Sequence, residues 1–278
     1  MSVATPSAPE KRPRGLGDDA LLDLVQRQTF RYFWDLAHPV SGLARERSNI
    51  RPDYGLETVA TGGSGFGAMA IVVAAERGWI GRDDACDRLL RMVRFLLRAD
   101  SYHGILPHFL NGETGRTIPF TRKDDGGDVV ETSFLLAGLL CARQYFARNE
   151  PLESELRARI DRLWHEAEWS WHTRGGRHVL YWHWSPNNGW SMDFAIRGWN
   201  ECLITYVLAA CSPECSVRAN ILTATSLWRA SCAPVSTGCG RRRSGAGTRA
   251  TAGMFFIGTG ARTTAGAWIS RSAAGTNA

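Results

Sequence analysis

The stretch Lys123-Asp124-Asp125-Gly126-Gly127-Asp128-Val129-Val130-Glu131-Thr132 runs directly into Ser133-Phe134-Leu135-Leu136-Ala137-Gly138-Leu139-Leu140-Cys141-Ala142. A carboxylate-rich, glycine-paired loop thus empties into an apolar segment long enough for a helix over residues 128–148, too continuous in its apolar character for a two-sided strand. Asp128 and Glu131 are three apart and share one face of its first turn. The same order, a polar or glycine-rich loop and then an apolar helix, recurs on both sides. Leu21, Leu22, Leu24, Val25, Phe30, Phe33, Trp34 and Leu36 give a broad apolar face to a helix over 18–37. Small apolar residues from Gly65 to Arg77 predict a helix packed on several sides. Arg82-Asp83-Asp84 opens a third helix, 153–172 reads as a fifth and 200–210 as a sixth, with a weak strand signal at 179–184. Six helices separated by long aromatic loops predict an all-α fold of helix pairs, arranged as a toroid rather than a bundle.

Composition narrows the function classes. The 278 residues are 44% hydrophobic and 22% charged, which excludes global disorder. The net charge of +6 is misleading. Residues 212–278 hold eight arginines and one acid, Glu214, so the remaining body is nearly neutral and offers no basic face for nucleic acid. No run of about 18 apolar residues exists, so no membrane insertion is expected, and residues 1–17 lack the apolar core of a secretory leader. Seven cysteines without a regular framework do not make a disulfide scaffold or a zinc site. Three parts follow: a disordered segment over 1–17, the helical body over 18–211, and an atypical tail over 212–278. The tail's Ala/Gly/Ser/Thr/Arg mixture has no sustained period, and only Lys11 and Lys123 stand against 31 arginines in the chain. A frameshifted end of a GC-rich reading frame accounts for that composition; a low-complexity tail is the plainer account.

Three constellations carry chemistry. Cleavage of a glycosidic bond needs two carboxyl groups, one protonated and one ionised. Asp128-x-x-Glu131 supplies candidates at a helix start, but the same pattern is a capping box, and from spacing alone the cap is the stronger reading. The double glycine and the extra aspartates are more than a cap requires. Glu201, at the start of the sixth helix, is the second candidate carboxylate, against a plain dipole-favouring helix start. Seven tryptophans fall between Trp164 and Trp199. Trp164, Trp169 and Trp171 are expected on a helix and in the core, whereas Tyr181-Trp182-His183-Trp184-Ser185-Pro186 sits on a strand or loop where indoles stack on sugar faces. Gly62-Gly63-Ser64-Gly65-Phe66-Gly67 lacks the Lys-Ser/Thr of a phosphate loop and reads as a close approach to a ligand or another helix. His103 and His108 are loop histidines, structural by default.

Phe30-Arg31-Tyr32-Phe33-Trp34, Ser41-Gly42-Leu43-Ala44-Arg45-Glu46-Arg47, Thr61-Gly62-Gly63-Ser64-Gly65-Phe66-Gly67, Asp125 to Thr132, Tyr181 to Pro186 and Gly198-Trp199-Asn200-Glu201 together resemble the glucoamylase-like domain. That family includes bacterial endo-β-1,2-glucanases and a domain of cyclic β-1,2-glucan synthases. The resemblance spans about residues 18–212. It implies an (α/α)6 barrel, incomplete at its C-terminal end, that hydrolyses β-linked glucan with inversion and without a cofactor or metal. It implies Asp128, Glu131 and Glu201 as the catalytic acids and leaves open which is acid and which base; our choice is Glu201 as general acid and the other two on water. Asp125, His108, Trp182, His183, Trp184 and Trp199 would contact the sugar, and the chain would act as a monomer on an oligo- or polysaccharide. Family members work at the cell envelope, which this chain's own residues leave open. After Ala210, Cys211-Ser212-Pro213-Glu214-Cys215 replaces the family's pattern. Two other readings stand beside this one. One is a carbohydrate-binding remnant without turnover. The other is a Mg²⁺-dependent isoprenoid diphosphate enzyme using Asp124, Asp125 and Asp128 as an Asp-Asp-x-x-Asp motif.

Overall fold

A computed structural model describes residues 14–47, 55–174, 179–190, 194–197 and 200–212. The segments 1–13 and 213–278 and residue Trp199 lie outside that description. All described residues belong to one compact unit. The fold is all-α in its mass, with six α-helices among the described residues and five strands of two or three residues.

The helices are α1 (Asp18–Trp34), α2 (Thr61–Glu76), α3 (Arg82–Leu96), α4 (Val129–Tyr145), α5 (Pro151–Glu166) and α6 (Leu203–Cys211). Asp83 and Asp84 in the first turn of α3 and Arg94 in its last oppose the helix dipole at both ends. Leu89, Leu90, Met92, Val93 and Leu96 are buried along its inner face. Pro151 starts α5, where its missing N–H costs nothing. Arg82 pairs bidentately with the buried Glu153 at 2.6 and 3.2 Å and ties α3 to α5.

α2 and α4 are apolar on most sides because each has helices around it: α2 packs on α1, α3 and α4, and α4 also packs on α5 and α6. The α2–α4 contact is the most extensive between the described helices, and glycine permits its close backbone approach. A Cβ on Gly65 would lie 2.1 Å from the Phe134 carbonyl oxygen, and one on Gly138 would lie 2.0 Å from that of Gly65. The glycine run therefore serves a helix approach, and α2 begins at Thr61, four residues earlier than its apolar pattern predicts.

Two short sheets set the helix starts. β1 (Thr58–Ala60), β2 (Phe109–Asn111) and β3 (Thr117–Ile118) are antiparallel in that order, with Ala60 opposite Phe109 and Leu110 opposite Thr117. β4 (Gly127–Asp128) pairs antiparallel with β5 (His183–Trp184), Asp128 opposite His183. β1 runs without a break into α2, and β4 into α4. The segment 105–109 fastens both junctions: the Leu106 carbonyl accepts from Asp128 N at 2.8 Å, and the His108 carbonyl from Thr61 N at 3.1 Å. The N-termini of α2 and α4 are thereby held beside one another.

Three local expectations fail for physical reasons. Residues 153–172 are not one helix. Ala167 turns extended (φ −74°, ψ 106°), which tucks the fully buried Trp169 against Trp164 and leaves Trp171 in a separate 3₁₀ turn. The apolar face read for residues 18–37 buries only Phe30 within α1; Leu21, Leu22 and Val25 stand exposed. Glu201 precedes the first helical residue of α6, Leu203.

Candidate active site

The α4 junction concentrates carboxylates. Asp128 is fully buried and caps α4: Oδ1 accepts from the backbone N–H of Val130 and of Glu131, each at 2.9 Å. Its Oδ2 meets His108 Nδ1 at 3.0 Å. Because Asp128 accepts in each of these bonds, Nδ1 carries the proton. A capping box would turn Glu131 back to the Asp128 N–H. Here that N–H is already taken by Leu106, and Glu131 Oε2 instead accepts from Gly62 N on α2 at 2.8 Å. Burial is the main reason that the Glu131 carboxyl titrates above its ordinary range, with the Asp128 charge adding to it and His108 and the Gly62 N–H opposing it.

Asp124 lies on the other side of the same group. Burial, and then the charge of Asp128, push its carboxyl up to about 7, so it holds a proton near neutrality. Among the described residues its buried Oδ1 has no hydrogen-bond partner and lies 3.7 Å from His183 Nε2. His183 is fully buried and accepts the Asp125 N–H on Nε2 at 3.1 Å, which places its own proton on Nδ1; burial holds its pKa down. Asp125 behaves oppositely. Burial acts to raise its pKa, but hydrogen bonds from Ser185, Asn187 and Asn188 outweigh it and keep the carboxyl ionised. The last two measure 2.8 and 2.9 Å and tie the 185–189 turn to the acidic loop. For His108, burial pulls downward, yet the bond to Asp128 and the charges of Asp128, Glu131 and Asp124 prevail and raise its pKa.

The double glycine has a structural cause. A Cβ on Gly126 would sit 2.2 Å from the Trp184 carbonyl oxygen, and one on Gly127 would crowd Ile105 and Tyr102 at 3.2 Å. The β4–β5 pairing therefore excludes a side chain at Gly126, while one at Gly127 would need Ile105 and Tyr102 to give by a few tenths of an ångström. Beside β5, Trp184 meets Trp171 and His103 edge-on at centroid distances of 5.5 and 5.0 Å, and His103 stacks flat on Trp171 at 3.7 Å. One ligand atom each of His108, Asp124 and Asp128 lies within 4.8 Å of the others. Asp128 Oδ1 accepts from two backbone N–H groups and its Oδ2 is bonded to His108 Nδ1, while the Asp124 carboxyl stands beside this pair without a hydrogen bond to either.

No family model matches the chain. Over 199 residues it is 49% identical to the exo β-1,2-glucooligosaccharide sophorohydrolase (non-reducing end) of Parabacteroides distasonis, a match covering 71% of this chain and 27% of that protein. The solved endo-β-1,2-glucanase of Chitinophaga pinensis, in complex with sophorotriose and glucose, is 53% identical with a TM-score of 0.69, over 72% of this chain and 48% of that one. A β-1,2-glucanase structure from Parabacteroides distasonis gives 46% identity and a TM-score of 0.69, over 74% and 30%. The chain belongs to the glucoamylase-like β-1,2-glucanase family. It spans between about a quarter and a half of the length of these relatives.

Within this glucanase-family chain, the structure brings together Asp125, Asp128, Glu131, His108 and His183 of the residues singled out in the sequence. Trp184 adjoins them through β5, and Trp182 is half-buried against the core, its carbonyl accepting from Val129 N at 2.9 Å. Glu201 is exposed, and among the described residues no hydrogen bond or ion pair joins it to the cluster. Its chain neighbour Cys202 is buried, and burial first, then the charges of Glu201 and Asp128, push that thiol up to about 11. Trp199 lies outside the described residues. Asp124 belongs to the site as a proton holder, a role the sequence signalled only by crowding three aspartates into five positions. The isoprenoid reading fails on geometry. Its motif needs a helix to align the three aspartates, whereas Asp124 lies in a turn, Asp128 ends β4, and the helix begins at Val129.

Proposed function

We propose that this chain carries the acidic half of a β-1,2-glucan hydrolase site, working as a monomer on an oligo- or polysaccharide by inverting general acid/base catalysis. The single observation that carries this reading is the pairing of unlike carboxyl groups at the α4 start. Asp124 keeps a proton near neutrality, Asp125 is held ionised, and Glu131 is fixed on the Gly62 N–H. Hydrolysis of an acetal needs that division of labour. The relatives named for action on β-1,2-glucan, at 46–53% identity, supply the substrate class.

Glu131 deprotonates the attacking water, and Asp128, through the α4 cap, holds Glu131 in place. Glu201 protonates the leaving oxygen from the α6 side; what supports this is its place in Asn200-Glu201, the stretch that resembles the family's acidic site. The proton on Asp124 favours a second assignment, with Asp124 as the acid. We further propose that residues 18–211 form the first half of an (α/α)6 toroid and that 1–17 and 212–278 stand apart from it. In support, α2, α4 and α6 pack in sequence as one layer, and α3 packs on α5 outside it.

The test is release of reducing ends from linear β-1,2-glucan, with the product anomer read by NMR before mutarotation. Glu131→Gln should abolish release, and retained activity in that variant rejects the site. An aryl glycoside with a good leaving group separates the two acids. The variant lacking the true acid, Glu201→Gln or Asp124→Asn, keeps activity on it while losing the polymer.

A further inference from the structure

His108 is the basic group of the carboxylate cluster that bonds directly to a catalytic-site acid, and its surroundings restrict what it can do. Phe120 stacks flat on the imidazole, with centroids 4.4 Å apart and planes at 13°, and Phe109 closes on it edge-first at 4.5 Å. The His108 side chain is 20% exposed, while Phe120 is 54% exposed and takes the outward position. Nδ1 is committed to Asp128 Oδ2. Asp128 in turn holds the Val130 and Glu131 N–H groups, so the imidazole is two bonds from the backbone that carries Glu131. We propose that His108 is a positioning residue, which acts through Asp128 to fix the first turn of α4, and hence Glu131, and does not bind the sugar. This rests on the glucanase reading given above and takes the place of the expectation that His108 contacts substrate.

The groups that face the imidazole are the carboxyls of Asp128, Glu131 and Asp124 and the rings of Phe109 and Phe120. As a cation it lowers the titration of both Asp124 and Glu131. Removing it therefore has two separable consequences. The hydrogen bond to Asp128 goes, which frees the α4 cap, and the charge goes, which lets both carboxyls titrate higher.

The test uses His108→Leu and His108→Asn in the full chain on linear β-1,2-glucan. Leucine removes both the bond and the charge, so kcat falls about 100-fold, as expected of a small misplacement of a reacting group, with KM nearly unchanged. Asparagine places an N–H donor where Nδ1 stood and recovers most of that loss. In both variants the acid limb of the pH–rate profile moves to higher pH, which a merely structural role would not cause. A rise in KM with kcat preserved, or an asparagine variant as poor as leucine, overturns the proposal, because either result assigns the work to Nε2 on the sugar. A readout without substrate keeps this separate from the glucanase reading. In an NMR titration, the His108 imidazole midpoint should lie above 6.5 and fall in Asp128→Asn. An unchanged midpoint overturns the pairing even where the polymer is cleaved, whereas a falling midpoint in a chain that leaves β-1,2-glucan intact rejects only the glucanase reading.

Discussion

A single methyl group at position 62 tests the proposed site most sharply. Gly62 lies in the first turn of α2 with an ordinary helical backbone, so alanine fits the chain and adds about 0.5–1 kcal/mol of helix preference. Its Cβ, however, would sit 2.6 Å from Glu131 Oε2 and 3.1 Å from Cδ, where ordinary contact begins at 3.4 Å. The neighbour that must yield is the end of a side chain, not a backbone atom, so the fold tolerates the change and the carboxylate moves by about 0.8 Å to restore contact. A displacement of that order costs about 100-fold in rate where the carboxylate orients a water. The move also loosens the Gly62 N–H bond, one of the influences holding Glu131 down, so its carboxyl titrates still higher. The base is needed ionised, and the acid limb of the pH–rate profile therefore shifts upward. The assay is reducing-end release from linear β-1,2-glucan across that limb, paired with a thermal melt. Gly62→Ala should melt close to wild type and lose activity. An unaltered kcat with an unmoved limb would refute the placing of Glu131 at the reaction centre.

Other perturbations separate scaffold from chemistry. Gly65→Ala drives a Cβ to 2.1 Å from the Phe134 carbonyl oxygen, which cannot swing aside, so the α2–α4 layer must part; a loss of about 3 kcal/mol or more in a denaturant melt is expected. Asp128→Ala removes the α4 cap, at about 1 kcal/mol, and leaves His108 Nδ1 unpaired, at about 1–3 kcal/mol more, whereas Asp128→Asn retains an Oδ1 acceptor and should melt between the two. Asp124 links stability to pH. Its native pKa of about 7 lies above the ordinary 3.8, so between those values the folded chain binds the extra proton and stability falls as pH rises. Asp124→Asn should therefore melt like wild type near pH 4 and higher than wild type above about pH 7, and a constant difference across that range would remove Asp124 from the buried cluster.

Where a signal was local, the sequence disclosed it. α3 begins at Arg82 as read, since Gly81 and two first-turn aspartates mark its start, and α4 carries the Asp128 cap that its spacing announces. What stayed hidden is non-local. Nothing near Glu131 states that its hydrogen-bond donor lies 69 residues earlier, at Gly62. The loop over 100–127 contains β2 and β3, but strands of two or three residues show no alternation to read. Residues 153–172 continue an apolar period beyond the point where the chain turns outward at Ala167, because burial of Trp169 against Trp164 outweighs the helical continuation. Resemblance to a family supplied the substrate class, which neither periodicity nor spacing contains.

The helix cap and the proposed catalytic carboxylate are separated by one displaced hydrogen bond. In a capping box the glutamate would be spent on the cap residue's own N–H. Here Leu106 satisfies that N–H from the segment 105–109, and Asp128 alone serves the exposed start of α4. Glu131 is thereby released from capping and set against the first turn of α2, where the N–H groups of a helix start are free to receive it. The glycines at 62 and 65 let the two helices close to that distance. In the proposed site, the Glu131 carboxylate is thus made available by an interaction belonging to the scaffold, the strand-like contact of 105–109 with both helix starts. It follows that weakening this contact, as Thr61→Val would by deleting the hydroxyl bond to the Pro107 carbonyl at 2.5 Å, should lower kcat more than its modest cost in stability accounts for. Loss of activity strictly proportional to loss of folded protein would show instead that Glu131 is positioned independently of that segment.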